Sequence, residues 1–388
     1  MIPYGKQTIT EDDIEAVVSV LRSDWLTQGP AIPRFEQSVA DRMGVHYAVA
    51  VNSATSALHI ACLALGLRSG ERLWTVPNTF VASANCALYC GAMIDFVDID
   101  PVTWNMSIQK LADKLVQAKR ENKLPKVIVP VHFAGQPVEQ EAIWELAKEY
   151  GFHVLEDASH AVGACRHGEP VGSCRWSDIT VFSFHPVKII TTGEGGMALT
   201  NDADLAWRME MLRSHGITRD PGRMIRKSDG PWYYEQQMLG FNYRMTDLQA
   251  ALGLSQIMRL NQFVNRRNEL AARYSALLNG LPLQLPVVSP GNQSAFHLYV
   301  VLLANDHVHH HRHVFDYLRA QAINVNLHYM PVHLQPYYRE RGFGEGLFPV
   351  AEAHGKASIT LPLFPRMTEC EQDHVVKTLM TFFKEIIS

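Results

Sequence analysis

The sequence predicts an α/β fold: a mostly parallel sheet domain covered by helices on both faces, followed by a smaller C-terminal α/β domain. Two observations predict it. Strand-like apolar runs alternate with helix-like segments through the first two thirds of the chain, the rhythm of repeated βαβ crossovers. The 388 residues, 47 % hydrophobic, are enough to bury two cores of ordinary size.

The elements follow in order. Tyr47 to Asn52 reads as a strand and Ala54 to Leu65 as the helix after it. Arg72 to Val76 is strand-like, Phe80 to Tyr89 helical and Ile94 to Val97 a short strand. Lys126 to His132 is a stronger strand, followed by an amphipathic helix from Val138 to Tyr150 and a strand from His153 to Glu156. Asp178 to Phe184 and Met197 to Thr200 are further strands. A long helical region runs from about Thr246 to Leu278. The domain change is placed within it, giving a large domain of residues 1–255 and a small one of 256–388. In the small domain Phe296 to Leu302 reads as a strand and Val314 to Gln321 as a helix. Ligands on parallel sheets bind beyond the carboxyl ends of the strands. Asn52, Asp157 and Ser183 all fall at such ends.

Bulk properties exclude several classes. The net charge is −4 and no long basic run occurs, so nothing favours a nucleic-acid partner. No run of about 18 apolar residues suggests a membrane span. The opening Met1 to Lys6 lacks the pattern of a secretory signal, and a cytoplasmic protein is expected. The six cysteines form no C-x-x-C pair, which argues against zinc and thioredoxin-like sites and fits a reducing compartment. Cys86 and Cys90 are expected to pack as small apolar side chains.

One pairing points to chemistry. Lys188 sits in the stretch Phe182 to Gly196, and Asp157 ends an apolar run 31 residues earlier. A lysine amine can form a Schiff base with the aldehyde of pyridoxal phosphate (PLP), while a carboxylate holds the pyridine nitrogen protonated. A lysine beside a loop is ordinarily a solvated surface group; the surrounding residues argue otherwise. Asn52-Ser53-Ala54-Thr55-Ser56-Ala57 joins a strand to a helix, where small residues and free amides could hold a phosphate. Alone, it would read as an ordinary Ser/Thr helix cap. Phe80 could stack on a pyridine face or serve as a core aromatic. Ser183 could donate to a phosphate or be a strand serine satisfied by backbone. His160 could contact the cofactor hydroxyl, stack near the ring, or face solvent. Glu156 is read as structural.

Other motifs carry less. His307, His309, His310, His311 and His313 are read as a solvated helix start, and no metal site is expected. Gly193-Glu194-Gly195-Gly196 precedes a strand, so it is not a dinucleotide fingerprint, and no P-loop string occurs.

Assembled, these residues resemble the DegT/DnrJ/EryC1/StrS family of sugar aminotransferases. The resemblance spans nearly the whole chain. It runs through Trp25 to Pro30, Asn52 to Leu58, Glu156 to His160, Phe182 to Gly196, Gly240 to Thr246, His328 to Pro331 and Leu361 to Leu363. It implies the aspartate aminotransferase architecture (fold type I), PLP and its pyridoxamine form (PMP) as cofactor, and a homodimer with shared active sites. Lys188 would be the cofactor lysine and Asp157 the pyridine partner. Ala54, Thr55 and Ser183 would hold the phosphate, and Phe80 would stack on the ring. Asn242 would reach the phosphate from the neighbouring subunit, with Arg244 at the same interface. His328 and Tyr329 would lie near the sugar-nucleotide entrance. Many relatives carry glutamine at the place of His160, which leaves that contact open.

Within the family the chain resembles the pseudaminic-acid branch. That implies L-glutamate as donor, 2-oxoglutarate as its product, and a UDP-linked 2-acetamido-4-keto-6-deoxy sugar as acceptor. Aminotransfer to another keto sugar, of bacillosamine or legionaminic type, is the nearest alternative. A sugar dehydratase on this scaffold would replace the lysine with histidine, and this chain keeps Lys188. A non-catalytic sensor would need no reactive lysine.

Overall fold

The structure is a computed structural model and describes residues 1–387. The N-terminal helices α1 (Glu11–Leu21) and α2 (Ala31–Met43) lead into a sheet-building stretch. It contains β1 (Tyr47–Val51), α3 (Ala54–Ala64), β2 (Arg72–Thr75), α4 (Ala82–Tyr89), β3 (Met93–Phe96), α5 (Ile108–Arg120) and β4 (Val127–Val129). It continues with α6 (Gln140–Tyr150), β5 (His153–Asp157), β6 (Ile179–Ser183), β7 (Gly196–Thr200) and α7 (Ala203–Arg213). The seven strands form one sheet in the order β1-β7-β6-β5-β4-β2-β3. β3, β2, β4, β5 and β6 pair in parallel, as the alternating pattern predicts.

β7 is the exception: it lies antiparallel between β6 and β1. The cause is the link between β6 and β7. A parallel return needs a crossover of a dozen or more residues, usually a helix. Residues 184–195 form no helix. The chain doubles back instead, with Ser183 paired opposite Gly196. Lys188 rides on this returning loop.

The small unit has three antiparallel strands, β8 (Leu283–Gln284), β9 (Tyr299–Leu303) and β10 (Ser358–Leu361), with β9 central. Helices α10 (His311–Ala320) and α11 (Glu369–Ile387) belong to the same unit. Its core gathers Tyr274, Tyr299, Val314, Leu318, Leu361 and Phe382, together with Ile2 from the other end of the chain. Ile2 N–H donates to Ala322 O at 2.8 Å and Leu363 N–H donates to Tyr4 O at 3.0 Å, so the first residues are stitched onto this unit.

Several predicted bounds shift, the strand of Lys126 to His132 shrinking to Val127–Val129, and three of the shifts have a visible reason. The helical region of Thr246 to Leu278 is two helices, α8 (Asp247–Ile257) and α9 (Leu260–Leu277). At the break the Arg259 guanidinium grips both oxygens of the buried Asp13 carboxylate at 2.6 Å. The bend lets α8 pack on α1 and α2 while α9 packs on α11, which serves two separate cores. The helix expected from Phe80 starts at Ala82, leaving Phe80 on the preceding turn. The strand expected from Phe296 starts at Tyr299, because Phe296 adopts φ 43° and Arg267 holds the Phe296 and His297 carbonyls at 3.1 and 3.2 Å.

All six cysteines are free; Cys86 is buried, Cys90 only partly. Among the described residues, no group of three His, Cys, Asp or Glu is arranged to hold a metal ion, and no helix is long and apolar enough to cross a membrane.

Candidate active site

The carboxyl ends of β1, β5 and β6 open into one cavity of about 990 Å³. Its lining includes Ala54, Thr55, Phe80, Asp157, His160 and Ser183 together with Lys188, His328 and Tyr329. Nine of the eleven candidate residues therefore meet in one place. The other two lie outside it in this chain. Asn242 is exposed, and Arg244 lines a neighbouring groove, where its guanidinium donates to Ser214 Oγ at 3.1 Å.

The anion cradle is built by the β1–α3 turn. Ser53 caps α3 by accepting the Ser56 N–H at 3.1 Å, and Ser56 Oγ donates to Asn52 Oδ1 at 2.7 Å. The serines thus shape the turn. Ala54 and Thr55 open the helix, and amides in its first turn have no intrahelical acceptor. They are suited to a phosphate at the positive end of the helix dipole. β7 crosses directly beneath. A Cβ on Gly196 would stand 2.5 Å from Ala54 N and from Ser53 C, so only glycine lets the strand support this turn.

Asp157 and Glu156 are neighbours on β5 and project to opposite faces of the sheet. Asp157 Oδ2 accepts the Ser83 hydroxyl at 2.6 Å and Oδ1 accepts the Ser159 N–H at 3.0 Å. Ser83 is joined in turn to the Thr79 hydroxyl at 2.8 Å. Both oxygens of the carboxylate are thereby held in a fixed orientation toward the cavity. Glu156, facing away, is fully engaged by Gln140 at 2.6 Å, Thr180 at 2.7 Å and Ser177 at 3.3 Å, with His132 at 3.7 Å. It belongs to the structural network behind the site.

Burial pulls the Lys188 ammonium down to about 8, against the opposing pull of the Asp157 charge. An amine poised near neutrality is what a lysine that must react as free base requires. The Phe80 ring is 58 % exposed and lines the same space. A negative cradle ligand at α3, a cationic ring nitrogen at Asp157 and an aldehyde at Lys188 match the three polar ends of PLP. The residues present fit that cofactor.

Histidines dominate the far wall. Burial and the Lys188 charge hold His160, His297 and His328 below the usual imidazole range, His328 down to about 3. His354, behind Phe133, is pushed to about 3 by burial. Unfolding returns these imidazoles to about 6.5. Below that pH the unfolded chain binds more protons than the folded one. Stability is therefore full above pH 6.5 and lost progressively as pH falls toward 3. Urea denaturation between pH 8 and 5 is expected to show a midpoint that holds to pH 6.5 and then falls; a flat profile would refute the account.

Sequence reasoning missed Ser83, Thr79, Tyr4 and His297 in this cluster. Ser83 carried one signal: it is a hydroxyl one turn after Phe80 in an otherwise small, apolar helix start. Tyr4 carried none, since it reaches the wall only through the pairing of the N-terminal residues with the small unit.

A mostly parallel sheet with a half-buried lysine, a carboxylate and a phosphate cradle at its strand ends defines a PLP-dependent aminotransferase of fold type I. Residues 7–380 match the DegT/DnrJ/EryC1/StrS aminotransferase family, and the chain belongs to it. Members of the family are PLP-dependent sugar aminotransferases, and this chain is an enzyme of that class. Spore coat polysaccharide biosynthesis protein SpsC of Bacillus subtilis is 37 % identical over 387 residues, covering 99 % of this chain and 97 % of that protein. The UDP-4-amino-4,6-dideoxy-N-acetyl-β-L-altrosamine transaminase of Campylobacter jejuni is 34 % identical over 387 residues, covering 100 % and 98 %. Among solved structures, Helicobacter pylori PseC, an aminotransferase involved in the biosynthesis of pseudoaminic acid, is 30 % identical with a TM-score of 0.91, covering 99 % of each chain.

Proposed function

We infer that this enzyme moves an amino group from L-glutamate to the C4 keto carbon of a UDP-linked 2-acetamido-4-keto-6-deoxy sugar; the name of the Campylobacter relative, a UDP-4-amino-4,6-dideoxy-N-acetyl-β-L-altrosamine transaminase, supports the sugar half of this reading. The observation that carries the reading is the convergence of Lys188, Asp157 and the α3 amides on one cavity of about 990 Å³, roomy enough for cofactor and sugar together. When bound, PLP supplies an electron sink and a temporary seat for the amino group. The chain does the rest. Asp157 holds a proton on the ring nitrogen, with Ser83 and Ser159 fixing its oxygens. The Ala54 and Thr55 amides and the Ser183 hydroxyl bind the phosphate, and Phe80 covers the ring face. Lys188, as a free amine, would take the proton from the amine-bearing carbon of the donor in one half-reaction and deliver a proton to the sugar carbon in the other.

The remaining roles follow the family. Asn242 and Arg244, turned away from their own cavity, serve the site of a second copy in a homodimer. His328 and Tyr329 face the sugar. Residues 1–255, apart from the first few stitched onto the small unit, form the cofactor-binding domain and 256–388 the smaller domain beside it, in a cytoplasmic enzyme. The greater identity to SpsC, a protein named for spore coat polysaccharide biosynthesis, favours one second reading, another nucleotide-linked keto sugar; sugars of bacillosamine or legionaminic type are the candidates to try.

A half-reaction separates the two. The enzyme is converted to its amine form with glutamate, freed of excess, and offered UDP-linked 2-acetamido-4-keto-6-deoxy sugars of L-arabino or D-xylo configuration. Faster return of the visible cofactor band with the L-arabino sugar is expected. Faster return with the D-xylo sugar would move the enzyme to the second reading.

A further inference from the structure

His160 is enclosed by groups that the chain itself supplies. Its Nδ1 accepts the Ala134 N–H at 3.3 Å, and its Nε2 lies 3.2 Å from the Tyr329 hydroxyl. The ring is nearly parallel to Tyr329, 19° between planes and 6.2 Å between centroids, and it meets His297 at 4.5 Å. Both ring nitrogens are therefore committed to the protein.

That commitment fixes where the protons are. A neutral imidazole has one N–H donor and one acceptor. With Nδ1 accepting from a backbone amide, the proton sits on Nε2, and Nε2–H donates to Tyr329 Oη. The opposite tautomer would set two N–H groups against each other. The amide cannot swing away. Ala134 and Gly135 lie in left-handed backbone, φ 56° and 100°. Their carbonyls accept the Leu298 and Ala295 N–H groups at 3.3 and 3.0 Å. A Cβ on Gly135 would stand 2.9 Å from the His160 carbonyl oxygen. Burial and the facing Lys188 and His328 keep the imidazole neutral.

The consequence falls on Tyr329. Its hydroxyl accepts from His160, so its own proton must point elsewhere, and Tyr329 lines the cavity with Lys188 and Asp157. Burial and the Asp157 charge push its ionisation upward, so the proton stays on. We propose that His160 is a positioning residue: locked as the Nε2–H tautomer by the Ala134 amide, it makes Tyr329 a one-way hydrogen-bond donor to an oxygen of the molecules that react at Lys188. That oxygen is a phenolate or carbonyl, from the cofactor ring or from the keto sugar. The proposal rests on the aminotransfer reading above, and it relocates to Tyr329 the contact that the resemblance places on residue 160.

Two measurements test it. In the full chain without cofactor, nitrogen-15 NMR of labelled histidines is expected to show His160 as Nε2–H throughout pH 8 to 5. The titratable groups facing it are His297, His328, Lys188, Asp157, Tyr329 and Tyr4. Protonation of His160 in that range, or the Nδ1–H form, would overturn the proposal. This readout needs no substrate, so it survives a wrong sugar assignment.

In the loaded enzyme, Tyr329→Phe and His160→Leu are each expected to lower kcat about 100-fold, the scale of losing one oriented donor. The double variant should fall no further, and His160→Gln, which keeps an N–H donor, should recover most of the loss. Additive losses, or no rescue by glutamine, would overturn the proposal. If the oxygen belongs to the cofactor, Tyr329→Phe also shifts the pH at which the visible band titrates. If it belongs to the sugar, the band and the glutamate half-reaction are unchanged and the sugar half-reaction slows. A Tyr329→Phe enzyme unaltered in the band and in both half-reactions would refute it.

Discussion

Replacing Lys188 with Ala is expected to lower turnover by at least about 1,000-fold, the middle of the range for positioned acid–base catalysis, while the chain stays folded. Removing this side chain relieves the fold of an amine whose charged form burial disfavours, so the melting temperature without cofactor should not fall. The variant should also lack the visible band of lysine-bound cofactor, and a small exogenous amine should restore part of the activity. The parent enzyme offers a companion test. With the ammonium drawn down to about 8, roughly a quarter of the lysine is free base at pH 7.5, against about one part in a thousand for an ordinary lysine. Cofactor capture by the empty enzyme should therefore rise with pH and level off above about 8. Near-normal turnover in Lys188→Ala would remove the residue from the mechanism.

The second large effect is expected from a single methyl group far from any reacting atom. Gly196→Ala sets a Cβ 2.5 Å from Ala54 N and Ser53 C, both backbone atoms that have no rotamer to escape into. Overpacking of this kind costs about 1–3 kcal/mol. Here the strain falls on the turn that presents the phosphate-binding amides. Cofactor affinity is expected to drop by about tenfold or more, since one oriented hydrogen bond to a charged group is worth about 1.5–3 kcal/mol. The melting temperature should fall with it. Gly344→Ala is the control, because a Cβ there meets nothing within 4 Å. Equal cofactor affinity and melting temperature in Gly196→Ala and the parent would show that β7 does not brace the cradle.

Much of the sheet was legible because parallel strands buried on both faces are written as unbroken apolar runs. β6, buried along its whole length, is the clearest case. Strand direction left less trace. Met197 to Thr200 reads alike forwards and backwards, and only the lack of a helical period in 184–195 hinted at a reversal. The break at Met258–Arg259 was hidden because Arg259 finds its partner, Asp13, 246 positions away. The site divides the same way. Lys188 and Asp157 stood out because few chemistries need a lysine on a loop and a carboxylate at a strand end. Ser83 reaches Asp157 across 74 positions, and His297 reaches the wall only because a predicted strand starts late. Such contacts belong to the assembled fold and to no local pattern.

The doubling back of the chain between β6 and β7 has a mechanical consequence. The ends of the loop that carries Lys188 meet at one paired couple, Ser183 and Gly196, which makes the loop a closed ring. The same couple borders Asp157's neighbouring strand on one side and the α3 turn on the other. Lysine, carboxylate and phosphate seat thus form a triangle with fixed sides. His328, joined to Thr360 on β10 at 2.8 Å, moves with the small unit instead, while Tyr329 is tied to His160 on the sheet side. Any adjustment to sugars of different shape would then be made on the His328 side, with the reacting amine as its fixed reference.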